Sequence, residues 1–308
     1  MYLCEKHSME NFYLVLVKKD GEIIHNTFAI SHDDLIDKYI IPNDIPYTDF
    51  FRALFRPKDE LSLTNVDEYK LLIQETFIPE WFDDEFRNNT IDKLINIIKS
   101  MIITTHKNLL LNEGVILSKT AKIDRVMNCI VYAMYDSSNI KSLCCNSQVL
   151  LISDESIIDK TEDNSRIEEM YGNALVNEMY GYSKIMKMHG NTKVMKMYNN
   201  SRIAVLRGFS KINEMRDNSE TDRMKHMSKV MEMHNSSVIE EMWDWAVVNR
   251  MYDNTQINYM DDDSIVQEMH GNSVINEMCG NAVVQALYEN SIVRKIEEKA
   301  AILKKQLE

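Results

Sequence analysis

The sequence predicts a mainly β protein in which a small N-terminal α+β capping domain precedes a C-terminal β-solenoid. From residue 128, a nine-residue unit of the form Asn-Ser-x-Ile/Val-x-x-Met-x-Gly/Asp repeats nineteen times without a change of register. No proline follows Pro79, as laddered strands require. Residues 1–118 hold all four prolines and no repeat. We therefore predict an N-terminal domain over 1–118, a solenoid over 119–298, and a C-terminal helix or cap over 292–308.

The repeat itself indicates a solenoid, as in the unit from Asn164 to Gly172. Nine residues make about 2.5 turns of α-helix, so this period cannot keep one helix face buried. Strands fit better, with positions 2, 4 and 7 pointing inward and positions 9 and 1 forming corners. Two units then make one coil of eighteen residues, and nineteen units give about nine coils. Position 1 is Asn in eleven units, so Asn ladders along the axis are expected.

The sequence of the N-terminal region predicts both strands and helices. A β-hairpin is expected over 12–30, around the turn at Lys18 to Gly21. Ser31 is expected to cap a short helix, and Thr90 a longer one reaching His106. The prolines between residues 42 and 57 predict an irregular stretch. The solenoid needs a cap against edge-to-edge growth, and this domain is expected to supply it.

In design, the repeat resembles pentapeptide-repeat β-helices, which also pair a small inward residue with a larger one two positions later. It shares its period with the calcium-binding repeats of secreted toxins, but it lacks their Gly-Gly pair and their ligand Asp, which argues against calcium. It most resembles Asn-Ser-x-Val-x-x-Met repeat proteins of phages and mobile elements. That resemblance implies a scaffold that binds a protein, such as an anti-CRISPR or anti-restriction inhibitor, with mimicry of nucleic acid as one mechanism.

Composition limits the function classes. The formal net charge is −13, which disfavours generic binding to nucleic acid without excluding a local basic zone. Five cysteines in no framework indicate a reducing compartment, and we expect a soluble protein in a bacterial cytoplasm. Cys4 and His7 have a C-x-x-H spacing, but two ligands do not make a metal site. No catalytic motif is present, so we predict no catalytic residue, no cofactor and no metal.

The outward positions of the repeat are where a solenoid can recognise a partner. With eighteen residues per coil, position 8 of alternate units forms one column, which either stabilises the stacking of coils or recognises a partner. The residues of this column are Tyr180, Tyr198, Arg216, His234, Tyr252, His270 and Tyr288. Position 3 is basic in the first half of the repeat and adds candidate contacts to a partner: Arg166, Lys184, Lys193, Arg202 and Lys211. Position 3 is apolar in the second half and predicts a dimer interface: Val238, Val247, Ile265, Val274, Val283 and Ile292.

These columns favour a non-enzymatic scaffold that binds a protein partner, and they predict a homodimer through the C-terminal coils. The partner implied by the resemblance is a host nucleic-acid enzyme or a defence complex. Against mimicry stand 20 basic residues in the repeat region, where a mimic would be almost entirely acidic. Two alternatives stay open: an enzymatic or toxin domain at residues 1–118 displayed on the solenoid, and a structural protein of a phage particle.

Overall fold

The computed structural model describes residues 13–59 and 61–305, so Cys4 and His7 lie outside the described residues. The chain divides into two compact units. The first runs to Ile103 and includes Glu113–Ile116; the second comprises Thr104–Asn112 and the chain from Leu117. Within the described part of the chain, no helix has both the length and the apolar character needed to cross a membrane.

The first unit contains a four-stranded antiparallel sheet with the order β2-β1-β3-β4. Its strands are β1 (Leu14–Lys18), β2 (Ile23–His25), β3 (Phe50–Arg56) and β4 (Lys70–Ile73). The hairpin of β1 and β2 confirms the predicted one. The prediction of an irregular stretch around the prolines is wrong for residues 50–56, which form β3. This central strand is a nearly continuous apolar run that is buried on both faces, and Phe51 and Phe55 are almost fully covered.

Two helices accompany this sheet. The short α1 (His32–Leu35) begins at the predicted cap Ser31, whose side chain accepts from the backbone N–H of Asp34. A π turn (Ile36–Ile40) and 3₁₀ turns at Ile41–Asn43, Tyr47–Asp49 and Val66–Glu68 follow. The longer α2 (Asp84–Met101) begins before the predicted cap Thr90, because Asp83 caps it instead. The Thr90 hydroxyl donates within the helix to the carbonyl of Phe86.

The second unit carries all of the β-solenoid except β5 and most of β7, and the strands of the solenoid alternate between two parallel sheets. The even sheet consists of β6 (His106–Leu111), β8 (Lys122–Met127), β10 (Asn139–Cys144), β12 (Ile157–Thr161), β14 (Leu175–Met179), β16 (Lys193–Met197), β18 (Lys211–Met215), β20 (Lys229–Met233), β22 (Val247–Met251), β24 (Ile265–Met269), β26 (Val283–Leu287) and β28 (Ala301–Lys305). The odd sheet consists of β5 (Ile102–Ile103), β7 (Gly114–Leu117), β9 (Ile130–Met134), β11 (Gln148–Ile152), β13 (Arg166–Met170), β15 (Lys184–Met188), β17 (Arg202–Leu206), β19 (Glu220–Met224), β21 (Val238–Met242), β23 (Gln256–Met260), β25 (Val274–Met278) and β27 (Ile292–Ile296).

The register of these sheets confirms the predicted coil of eighteen residues. Arg166 pairs with Lys184 and Ile167 with Ile185, one coil later in each case. The solenoid is longer than the nine coils expected, because its sheets begin at Ile102 and end at Lys305, with twelve described strands in each. Its first coils are shorter, with offsets of 16 residues between β6 and β8 and 17 between β8 and β10, and the repeat is therefore out of phase there.

The interior is built from the predicted inward positions. Ile167 at position 4 and Met170 at position 7 are fully buried, and Ser165 at position 2 is almost so. Each stacks on its equivalent one coil away, since Met170 pairs with Met188. Apolar burial of this kind is the main stabilising term for such a fold.

Both corners of each coil are closed by hydrogen bonds along the axis. Position 9 has a positive φ, as at Gly172 and Asp154, which explains its Gly, Asp and Asn residues. The Asp154 carboxylate accepts from the backbone N–H of Asp136 one coil earlier (3.0 Å). The expected Asn ladder is also present: the Asn272 side chain donates to that of Asn254 (3.3 Å).

Of the C-terminal helix or cap predicted over 292–308, the helix is wrong for residues 292–305, which form β27 and β28. The spacing of Val293, Ile296 and Ala300 fits a helix face but equally fits positions 4, 7 and 2 of two further repeat units. Glu298 adopts the positive φ of a corner, and the Ala301 backbone N–H donates to Ala282 one coil earlier (3.0 Å). The repeat therefore continues through this segment.

Candidate interaction surfaces

The predicted column at position 8 lies on the even-to-odd corner, the turn that leaves each even strand, as at Tyr180–Ser183. Its rings stack face to face along the axis. Tyr180 and Tyr198 have ring centroids 4.8 Å apart with an angle of 6° between the rings. A second run comprises His234, Tyr252, His270 and Tyr288, with successive centroids 4.9, 5.2 and 4.6 Å apart. Arg216 separates the two runs.

Side chains at position 6 of the preceding strand hold this column in place. The Tyr180 hydroxyl donates to Glu178 (3.1 Å), and the Arg216 guanidinium donates to Glu214 (2.9 Å). Burial, and next the hydrogen bond to Glu178, raise the pKa of Tyr180 to about 12. All seven side chains are half-buried. Because most ring faces lie against each other, mainly the ring edges are left for a partner.

The five predicted basic residues do not form one patch, because consecutive units lie on opposite sheets. The odd sheet carries Arg166, Lys184 and Arg202, and the even sheet carries Lys193 and Lys211. On the odd sheet the two arginines are neutralised, Arg166 by Glu168 and Arg202 by both Glu220 and Asp222.

On the even sheet the lysines stack without neutralisation. Lys193 pairs with Lys211, and Lys211 with Lys229, on adjacent strands. None of the three forms an ion pair with another described residue. The even sheet is therefore the face on which the predicted basic zone is present.

The predicted apolar residues are likewise divided. On the odd sheet Gln256 separates Val238 from Val274, and Ile292 follows. On the even sheet Val247, Ile265 and Val283 are contiguous, and we call them the apolar strip. Val247 pairs directly with Lys229, so the change from basic to apolar takes place within one pair of strands.

A surface that the sequence analysis did not identify lies on the odd-to-even corner, the turn that leaves each odd strand. Phe209, Met227 and Trp245 occupy position 1 there in three consecutive coils. They are 62%, 55% and 59% exposed, where most units place an Asn. The sequence held the signal, since three large apolar residues replace the corner residue at intervals of eighteen. We call these three residues the corner cluster.

Cations border the corner cluster on both sides. Arg207 and Lys225 precede it at position 8, and Lys211 and Lys229 follow it at position 3 on the even sheet. The Lys225 ammonium lies 5.9 Å from the centre of the Trp243 ring. None of these four cations forms an ion pair with any residue in the described ranges. In a chain of net charge −13, the surroundings of Phe209 and Met227 are thus locally positive. Trp245 instead follows Asp244 and lies one coil before Asp261, Asp262 and Asp263.

The first unit contains a half-open cavity of about 780 Å³. Its walls include the exposed rings of Tyr47 and Phe77 and the indole of Trp81, whose Nε1 donates to the carbonyl of Thr48 (2.9 Å). Its volume is in the range of small-molecule sites. No sequence pattern predicted this cavity, because its walls come from segments up to about sixty residues apart.

Among the described residues, two groups bring together side chains that could bind a metal: Cys144, Cys145 and Asp163, and Glu277, Cys279 and Glu297. Burial raises the pKa of the Cys145 and Cys279 thiols, which keeps them protonated and makes them poor ligands. The Asp163 carboxylate accepts from the backbone N–H of Cys145 (3.0 Å), as part of a corner. Lys295 pairs with both glutamates of the second group (2.8 and 2.7 Å). These contacts account for both groups without a metal.

No protein-family model, no curated protein and no solved structure matches this chain. The surfaces described above are therefore the grounds for proposing a function.

Proposed function

We propose that this protein is a non-enzymatic scaffold that binds a macromolecular partner through the corner cluster and the cations beside it. The observation that carries the proposal is the replacement of the corner Asn by Phe209, Met227 and Trp245 in three consecutive coils. These residues are mostly exposed and contribute little to the interior. Exposed apolar residues that replace a polar corner residue in successive coils indicate a surface selected for binding.

The chemistry of the surface defines the partner. An aromatic and methionine cluster with cations beside Phe209 and Met227 matches the anatomy of protein interfaces, where aromatic residues and Arg are enriched. Arg207, Lys225, Lys211 and Lys229 form no ion pair within the described chain, so a carboxylate of a partner could neutralise them. We therefore propose a protein partner that presents an apolar pocket bordered by acidic residues.

The resemblance to phage-borne repeat proteins names the class of partner to test first, a host nucleic-acid enzyme or a defence complex in a bacterial cytoplasm. Mimicry of duplex nucleic acid is not supported beside Phe209 and Met227, because a mimic would present carboxylates where these residues are flanked by lysines and an arginine. Inhibition would instead arise from occupation of an acidic surface on the partner.

The variant F209N/M227N/W245N tests the proposal, since it restores the residue that most units carry. The matched control is Tyr182→Asn, which makes the same change on the opposite corner, where Tyr182 is 61% exposed. A photo-crosslinking residue at position 227 would identify the partner in host cells, and calorimetry with the purified partner would measure affinity.

We expect the triple variant to weaken binding by at least about a hundredfold, as loss of two or three anchor residues does. The control should bind within about twofold of the wild type. Crosslinks that yield no specific partner, or equal affinity of the triple variant and the wild type, would refute the role of this corner.

A homodimer through the apolar strip is a second part of the proposal. Val247, Ile265 and Val283 lie on adjacent strands of the even sheet and are half-buried. Trp245 lies two residues before Val247, so the strip continues from the corner cluster. A second copy that covers the strip would leave the cations around Phe209 and Met227 open to a partner.

A further inference from the structure

We propose that the cavity in the first unit binds an organic cation with an apolar body, such as an arylalkylamine or the side chain of a Lys beside an aromatic residue. This function does not depend on the solenoid or on the partner proposed for it. It follows from three properties of the cavity: its size, its unbalanced charge and its aromatic walls.

The charge of the cavity is negative after all its ion pairs are formed. Among the described residues two cations line it, and both are matched: the Arg52 guanidinium lies 2.7 Å from Glu75, and the Lys19 ammonium lies 4.0 Å from Asp49. The hydrogen bond from Arg52 lowers the pKa of Glu75, so this carboxylate stays ionised. Three further carboxylates line the cavity without an ion pair to any described residue: Asp33, Asp37 and Glu80.

Two of these three carboxylates, Asp33 and Asp37, line the cavity from consecutive turns. Asp33 and Asp37 lie four residues apart, on the same side of consecutive turns that begin at α1. Both are exposed, so a ligand can reach them from the open side of the cavity. An anionic ligand would meet repulsion from these groups and would find no unmatched cation among the lining residues. A cation is therefore the ligand that this charge selects.

The aromatic walls favour a cation that carries apolar surface. Tyr47 is 75% and Phe77 is 74% exposed. The Tyr47 ring packs only partly, with its centroid 5.5 Å from that of Phe50. Trp81 is fixed by its hydrogen bond to Thr48 and by its contact with Phe51, where the centroids are 5.7 Å apart. Ring faces attract organic cations, and these rings would also cover an aromatic or aliphatic body.

Titration calorimetry on the full-length protein tests this proposal with matched probes. Phenethylammonium is compared with neutral 2-phenylethanol and with anionic phenylacetate. A capped Phe-Lys dipeptide is compared with capped Phe-Gln. These two arms distinguish a free amine from a cationic side chain as the source of the ligand. The test variant is D33N/D37N/E80Q, and the control is Asp92→Asn, an exposed carboxylate on α2 that does not line the cavity.

We expect at least one cationic probe to bind at least about tenfold more tightly than its neutral counterpart, and to lose about that factor in the triple variant. Asp92→Asn should leave affinity unchanged. Binding of the dipeptide alone, or of the amine alone, would support the proposal and identify the source. Failure of both cationic probes to bind more tightly than about 1 mM would overturn it. Equal affinity for neutral and cationic probes, or equal affinity of the triple variant and the wild type, would do the same.

Discussion

The Asp217 carboxylate accepts a hydrogen bond from the backbone N–H of Asn199, one coil earlier in the solenoid, with an O–N distance of 2.9 Å. The side-chain amide of Asn199 donates to the same carboxylate oxygen (3.3 Å). One coil later, the side-chain oxygen of Asn235 accepts from the backbone N–H of Asp217 (3.1 Å). The corner residues thus connect successive coils independently of the strands.

This relationship predicts that Asp217→Ala destabilises the solenoid while Asp217→Asn does not. Alanine loses the acceptor and must hold a φ of +56°, which Asp and Asn tolerate better. We expect a loss of about 1–2 kcal/mol for alanine, measured by urea denaturation. Asparagine keeps an acceptor oxygen and occupies the equivalent corners at Asn199 and Asn235. A large loss with asparagine would show that the charge of Asp217, and not its acceptor, is what matters.

Two corner glycines offer a comparison at nearly equal φ, +66° at Gly271 and +62° at Gly190. A Cβ at Gly271 would lie 2.8 Å from the backbone nitrogen of Asp253, whereas at Gly190 the nearest atom would be 3.5 Å away, the carbonyl oxygen of Gly172. Both alanine variants incur the cost of the positive φ, and Gly271→Ala must also move the backbone. We therefore expect Gly271→Ala to lower the free energy of unfolding by about 1 kcal/mol more than Gly190→Ala. Equal losses would show that the corner relaxes freely.

The solenoid was predictable from the sequence because its rules are local. Positions 4 and 7 are buried and position 9 turns the corner in unit after unit, so the period alone defines the coil. The same regularity explains the error at the C-terminus. Val293 and Ile296 are three residues apart in a helix face and in this repeat alike, and only the corner at Glu298 distinguishes the two.

Features that depend on tertiary contacts could not be predicted from a local sequence pattern. The cavity walls at Asp33, Tyr47 and Trp81 come from three separate turns, and a sequence pattern cannot bring these turns together. The eighteen-residue coil implies that basic residues of consecutive units lie on two different faces, although the sequence analysis treated them as one zone. Their neutralisation does not follow from the coil, because it depends on which acid stands beside each one, as Asp222 does beside Arg202.

The apolar strip predicts that the variant V247T/I265T/V283T shifts the protein from dimer to monomer. Threonine keeps the β-branched shape that suits a strand and removes the apolar outer surface, so the fold should persist. Sedimentation equilibrium should show an increase of at least about tenfold in the dimer dissociation constant. The control V238T/V274T changes the interrupted column on the odd sheet and should leave the constant unchanged. A wild-type protein that is monomeric at micromolar concentrations would contradict the predicted homodimer.

The first unit should lose stability in mild acid because of His32. This side chain is buried beneath the sheet, with its Nε2 atom 2.9 Å from the carbonyl oxygen of Ala53. Burial lowers the pKa of His32 below its usual value of 6.5. A lowered pKa in the folded state means that the neutral ring contributes stability above about pH 6.5, and that this stability is lost as the pH falls through the folded-state pKa.

His32→Gln keeps a donor for Ala53 and removes the titration, so it should flatten the dependence of the urea midpoint on pH between about 7.5 and 5. Trp81 fluorescence reports on this unit in a background where Trp243 and Trp245 are replaced by Phe. The exposed His106, replaced by Gln in the same background, is the control and should preserve the slope. If His32→Gln leaves the slope unchanged as well, another group, such as the partly covered His25, whose pKa burial also lowers, must be responsible.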